Sequence, residues 1–213
     1  MKKLLALVLA LIMAVAFTSC GDDRTFDDIG GNINGGSVSS EEDTLVELGG
    51  VDGTVYKNAS VGIQVVAPEG WAFYSEAEIA EMNANNTDLE AANSMIDMMI
   101  METNVGNNVS VSFENLGKIY GSVIGVDKYL ELSKTNLTSD AEFMANVVGD
   151  ITTTTITIAG ETWGCLKFSQ TVSNMQVNQI CAVKKCGKYM ALVTATGITK
   201  TPEELLTMVT AIQ

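Results

Sequence analysis

In the stretch "KYMALVTAT", Tyr189, Ala191, Val193 and Ala195 alternate with Met190, Leu192 and Thr194, so both sides of an extended chain here are largely apolar. Successive side chains of a strand point to opposite faces. A strand apolar on both faces needs cover on both sides, as in a layered domain. Its neighbours in sequence fit that place. "TTTTITI" is β-branched throughout, with a threonine face suited to water. "ETWGCLKFSQTV" and "MQVNQICAVKK" follow, with short turns at Ser173-Asn174 and at Cys186-Gly187-Lys188. These last two segments and "KYMALVTAT" predict an antiparallel meander, with "TTTTITI" a strand before it.

Helix signals stand at three separated places. Ser75 and Glu78 form a Ser-x-x-Glu capping box at the start of "SEAEIAEM", with Ile79 and Met82 inward. Thr87 and Glu90 repeat that spacing and predict a further turn or two. Val126, Tyr129, Leu130 and Ser133 predict a helix over about 124–136. At the end of the sequence, Thr201 is the expected N-cap, Pro202 the first helical residue and Glu204 the box partner. The buried stripe there would be Leu205, Leu206, Val209 and Ile212. The expected class is α+β: an α/β/α sandwich with a central, mainly antiparallel sheet.

The N-terminal part has a different character. "MKKLLALVLALIMAVAFTSC" joins two lysines to an apolar run too short for a stable span, as a secretory signal does. Phe17-Thr18-Ser19-Cys20 resembles the bacterial lipobox. That resemblance implies cleavage before Cys20, with lipid on its thiol holding the protein at the extracytoplasmic face of a membrane. Residues 1–19 would then be the signal peptide. Residues 20–53 read as the lipidated cysteine and a flexible acidic tether, because Gly, Ser, Asn and Asp cannot bury enough apolar area to offset their ordering entropy. Nine acidic residues stand on the tether against Arg24 alone, in a chain of formal net charge −14. No arginine follows it, which excludes a nucleic-acid partner that needs a basic stripe. Residues 54–213 are left as one globular domain.

The chain has no histidine. That removes Ser-His-Asp and Cys-His nucleophiles and imidazole acid-base chemistry near neutral pH. No catalytic residue, resident metal site or cofactor is therefore expected, and a hydrolase working through carboxylates alone is the weakest alternative. Besides Cys20, the cysteines are Cys165, Cys181 and Cys186. A hairpin centred on Ser173 would put Cys165 opposite Cys181, where the two could bridge; a slip of one residue would put them on opposite faces.

"SMIDMMIM" carries Met95, Met98, Met99 and Met101. Thioethers suit soft metals such as Cu(I), fill irregular cores, and line adaptable binding surfaces. A Gly- and Asn-rich turn and the alternating "VSVSF" follow, so the stretch predicts a strand over about 96–103, the first of a hairpin. Strict alternation would place Ile96, Met98 and Ile100 on one side and Met95, Asp97, Met99 and Met101 on the other. Binding then requires Met99 and Met101 to be accessible beside Asp97; burial of both makes the stretch core.

The order of elements, the "APEGW" turn, "SEAEIAEM" and the terminal "GKYMALVTATGITKTPEELLTMVTAI" resemble the PsbP-like fold, including its bacterial lipoproteins of the DcrB type. Pro68, Gly70 and Trp71 match its Pro-x-Gly-Trp turn. The resemblance spans about Thr54 to Gln213 and implies a binding or assembly role, with no catalytic residues to carry over. The expected function is therefore a non-catalytic, membrane-anchored lipoprotein that binds or scaffolds another component of the cell envelope. The alternative is a carrier of a small apolar ligand or soft metal at Met95–Met101.

Overall fold

The computed structural model describes residues 46–84 and 94–213. Its framework is set by a hairpin of two twelve-residue strands, β8 (Glu161–Val172) and β9 (Met175–Cys186). Ser173 and Asn174 close it, both with left-handed φ (51° and 64°), the two-residue turn whose twist matches that of the flanking strands. Val172 therefore pairs with Met175, and the register runs back through Cys165 opposite Ala182 and Leu166 opposite Cys181. β10 (Tyr189–Gly197) returns beside β9, and each of its residues is buried. β7 (Thr152–Ile158) pairs with β8 on the outer side. β5 (Ser94–Glu102) and β6 (Asn108–Asn115) form the other long hairpin, with β6 against β10. β4 (Trp71–Phe73) completes a seven-stranded sheet in the order β4-β5-β6-β10-β9-β8-β7, antiparallel throughout.

The expectation of an α+β chain around a mainly antiparallel sheet is met, and the doubly apolar strand stands at its centre. Tyr189, Ala191, Val193 and Ala195 join one core; Met190 and Leu192 join another on the opposite face. Helices α2 (Gly117–Val123), α3 (Val126–Ser139) and α4 (Ala141–Met144) belong to the second core, through Tyr120, Tyr129, Leu130, Leu137 and Phe143, with Ile124 just after α2. The first core is closed differently. A second sheet of β1 (Gly50–Asp52), β2 (Val55–Asn58), β3 (Ile63–Val66) and β11 (Val209–Ala211) supplies Tyr56, Ile63, Val65 and Val209. The short α5 (Pro202–Leu206) adds Leu205 and Leu206. Helices thus lie on both faces of the large sheet, but on one of them a small sheet provides most of the cover.

Two expectations are corrected here. The terminal helix starts as foreseen, with the Thr201–Glu204 capping box, but ends at Leu206. Val209–Ala211 pairs instead with β3, which would otherwise expose an unpaired edge, and Ile212 is 36% exposed. The expected tether also gives way sooner than residue 53. Gly50–Asp52 pairs with β2 and belongs to the small sheet. The turn of helix expected from Thr87 and Glu90, and Cys20 with the signal, lie outside the described residues.

Candidate functional site

The methionine stretch forms the expected strand, β5, but its alternation is interrupted. Met95 pairs with Phe113 and Ile96 with Ser112; the next pair is Met98 with Val111, leaving Asp97 as the extra residue of a β-bulge. One inserted residue reverses the facing of everything on one side of it. Met95, Met98 and Ile100 consequently share the face toward the small sheet, with Val109, Val111 and Phe113. Ile96, Met99 and Met101 follow Ser112, Ser110 and Asn108 to the other face. The expected grouping of Met95 with Met99 and Met101 is therefore wrong. The four thioethers do not converge, and Met95, Met98 and Met99 are at most 2% exposed. Met101 is half-buried, with its sulfur 3.7 Å from the Tyr74 hydroxyl.

Asp97 explains the bulge. Its carboxylate accepts hydrogen bonds from the Gly49 amide at 3.0 and 2.9 Å, the Tyr56 hydroxyl at 2.5 Å and the Asn58 amide at 2.8 Å. These bonds tie the large sheet to the small one. Asn58 uses its remaining groups locally, accepting from the Val61 amide and donating to the Glu47 carbonyl. Burial and then the neighbouring Asp97 charge push the Tyr56 hydroxyl far above its ordinary pKa, so it stays a donor. Gly49 is required by close approach: a Cβ would stand 2.5 Å from the Lys57 carbonyl oxygen and 2.6 Å from the Tyr56 ring.

Beside this anchor the two sheets part, and helix α1 (Glu76–Met82) closes the gap at the β4–β5 edge. The helix is positioned at both ends. Ser75 and Glu78 form the foreseen capping box, and the Asn83 side chain brackets the Ile96 backbone, donating to its carbonyl and accepting from its amide, each at 2.8 Å. The result is a cleft of about 700 Å³ whose wall includes Trp71, Phe73, Tyr74, Ile79, Met95 and Met98, with Asp97 also in its lining. A cleft of this size and apolar character is of the kind that takes small molecules or side chains of a partner. Met95 and Met98 belong to its wall and Met99 does not. Sequence reasoning missed Gly49, Asn83 and the anchoring role of Asp97. The signal for Asp97 was an acid inside an otherwise apolar strand, where Asp is depleted.

Of the two alternatives for Cys165 and Cys181, the structure has the one-residue slip and not the bridge. The hairpin turns about the Ser173–Asn174 peptide rather than about Ser173, so the pairing moves by one residue. Cys165 faces the small sheet and Cys181 the helices, and both are free thiols, 0% and 4% exposed. Burial pushes the Cys181 thiol up to about 12 and also raises Cys165 and the half-buried Cys186, which disfavours the thiolate that cysteine chemistry needs.

One further acid lies inside the domain. Glu114 on β6 is 4% exposed on the helix side and accepts a 2.5 Å hydrogen bond from the Tyr129 hydroxyl of α3. Burial raises its carboxyl to about 7, against the opposing effect of that bond.

No protein-family profile matches the chain, and no curated protein matches it. Among solved structures, a crystal structure from Bacteroides thetaiotaomicron is similar at 10% identity and a TM-score of 0.41, over 76% of this chain and 50% of that one. The chain thus spans about half the length of that protein. LpqN, described as involved in cell envelope biogenesis of Mycobacterium tuberculosis, is similar at 14% identity and a TM-score of 0.38, over 71% of this chain and 83% of that one. At these scores neither likeness carries a fold family or a role over to this protein. Among the described residues no helix is long and apolar enough to cross a membrane.

Proposed function

We propose that this protein is a non-catalytic lipoprotein, anchored by lipid on Cys20 at the extracytoplasmic face of a membrane, whose domain binds or scaffolds another cell-envelope component. The PsbP-like kinship suggested by "APEGW" and "SEAEIAEM" is part of the same proposal. The observation that carries it is the cleft between the sheets, apolar in its wall and open beside Leu48–Val51, where the chain leaves the N-terminal segment for the domain. Of the two acids in its lining, Asp97 has both oxygens occupied by structural donors and Glu76 is exposed at the start of α1, which speaks against a carboxylate hydrolase there. The test is a photo-reactive residue in place of Ile79 in the full lipidated chain in its membrane, with the same residue in place of Asn136, on the exposed side of α3 and outside the cleft, for comparison. The expected result is one reproducible adduct from position 79 that is absent from position 136. Adducts equal at both positions, or none in repeated trials, overturn the reading.

The cleft volume also favours the carrier reading, with an apolar small molecule as cargo. Native mass spectrometry of the purified full chain separates the two readings: a bound small molecule, lost when Ile79 is changed to Asp, supports the carrier.

A further inference from the structure

β7 is the outermost strand of the large sheet, seven residues long, and among the described residues no strand pairs with its outer edge. Thr152, Thr153, Thr154, Thr155 and Thr157 are all exposed. Natural sheets protect such edges with lysine, proline, a bulge or short length, because the unpaired amides and carbonyls otherwise template another strand. The remaining sheet edges among the described residues, β4, β1 and β11, are three residues long. β7 has none of these protections: "TTTTITI" contains no charge and no proline, and its register with β8 is unbroken.

We infer that the β7 edge is an interface between two copies of this chain, which pair β7 antiparallel about a two-fold axis perpendicular to the sheet. The threonines suit this. Thr153, Thr155 and Thr157 share the face of Leu166, the helix side, so self-pairing brings threonine opposite threonine, a favourable cross-strand pair with no like charges opposed. In a chain of net charge −14, the strand itself adds no charge to oppose a second copy.

The flanking helix fits the same arrangement. α3 lies over β8, with β7 and β9 to either side. Two such helices would be separated by the three strand spacings β8-β7-β7-β8, about 14 Å. A helix with its side chains is about 10–12 Å across, so the pair clears without a clash and leaves a narrow gap. Each side of that gap is a groove of about 440 Å³ between α3 and β7, lined by Asp127, Glu131, Lys134, Thr153 and Thr155 among others. The two-fold reverses one helix against the other, turning Asp127, and Glu131 with the Lys128 that pairs with it at 2.9 Å, toward the second copy's Lys134. Lys134 makes no ion pair among the described residues. An isologous contact of this kind is closed and stops at two copies.

An axis perpendicular to the sheet makes one β7 residue its own partner. Single cysteines placed in turn at positions 153–157 of the full lipidated chain in its membrane, under mild oxidation, test this. The expected result is a disulfide-linked dimer with a maximum at one position, well above both the natural chain and an Asn136→Cys control on the exposed side of α3. A flat profile, a yield no greater than the control, or a cross-link to a different protein overturns the inference. As a second measurement, Thr153→Lys with Thr155→Lys should convert the detergent-solubilised full chain from dimer to monomer in sedimentation while leaving its native circular dichroism unchanged, with the melting temperature lowered only by the loss of association. A dimer that survives both lysines with the fold intact also overturns it.

Discussion

Glu114 makes the stability of this protein depend on pH in the direction opposite to that of most carboxylates. Its carboxyl moves from 4.5 to about 7 on folding because burial disfavours the charged form, and the Tyr129 hydroxyl only partly compensates. Below about pH 4.5 the group is protonated in both folded and unfolded chains and costs nothing. Above about pH 7 it is charged in both, and the folded chain bears the full penalty. At 1.36 kcal/mol per pKa unit, the shift corresponds to about 3 kcal/mol of stability lost as pH rises between those values. Glu102, Glu203 and Glu204 have lowered pKa values, so their contributions are lost only as pH falls through the acid range below 4.5, outside this window.

Urea unfolding of the full chain and of Glu114→Gln, at pH 5, 6, 7 and 8, isolates the effect. Gln keeps the shape and a carbonyl acceptor for Tyr129 but cannot ionise. The natural chain should lose stability steadily from pH 5 to 8. The variant should run flatter and be more stable at pH 8, by about 1–3 kcal/mol once the imperfect seating of its amide is allowed for. Tyr129→Phe removes the donor and should carry the loss of stability on to higher pH, because the carboxylate then has less to stabilise its charge and the folded-state pKa rises further. Parallel pH profiles for the natural chain and Glu114→Gln would refute the reasoning, since a difference confined to this carboxyl must vanish where both forms are neutral.

The anchor between the sheets gives a second expectation: Asp97→Ala strands the Tyr56 hydroxyl and the Asn58 amide in the interior and should cost about 3 kcal/mol in urea unfolding, with Asp97→Asn costing less. Gly49→Ala should destabilise by about 1–3 kcal/mol, because the Tyr56 ring has to move to admit a methyl group, and the shift will show in the melting temperature. Thiol labelling without reductant should find Cys165 and Cys181 unreactive in the native chain and both reactive in urea; peptide mapping that recovered a Cys165–Cys181 bridge would contradict the β8–β9 register.

What was legible in the sequence divides along a physical line. Capping boxes are local, and those at Ser75 and Thr201 were found because a side chain and an amide three residues apart satisfy each other wherever the helix goes. The two apolar faces of Tyr189–Ala195 were equally plain, since no register changes the need to cover both. Features that turn on a single residue of offset were not legible. The turn about the Ser173–Asn174 peptide moved Cys181 to the far face, and the bulge at Asp97 moved Met95 away from Met99, because a period of two carries no memory of where it was last reset. Val209 shows a third case: a residue at the right spacing for a helix stripe is also at the right place for the inward face of a strand, and the vacant edge of β3 decided between them.

These offsets bear on function as well as fold. Had the strand alternated without the bulge, Met95 and Met98 would stand on opposite faces, and the wall of the cleft would lose one of the two. The inserted acid does two things at once. It spends its charge on Gly49, Tyr56 and Asn58, which holds the small sheet against the large one, and it rotates the methionines so that both Met95 and Met98 front the gap. A thioether wall is polarizable and adaptable, suited to apolar groups of varied shape. Asp97 therefore shapes the cleft without needing to touch what enters it. It follows that Asp97→Ala should weaken any adduct formed from position 79 in proportion to how far the sheets part, whereas Met98→Leu, which keeps both the volume and the bulge, should leave it largely intact.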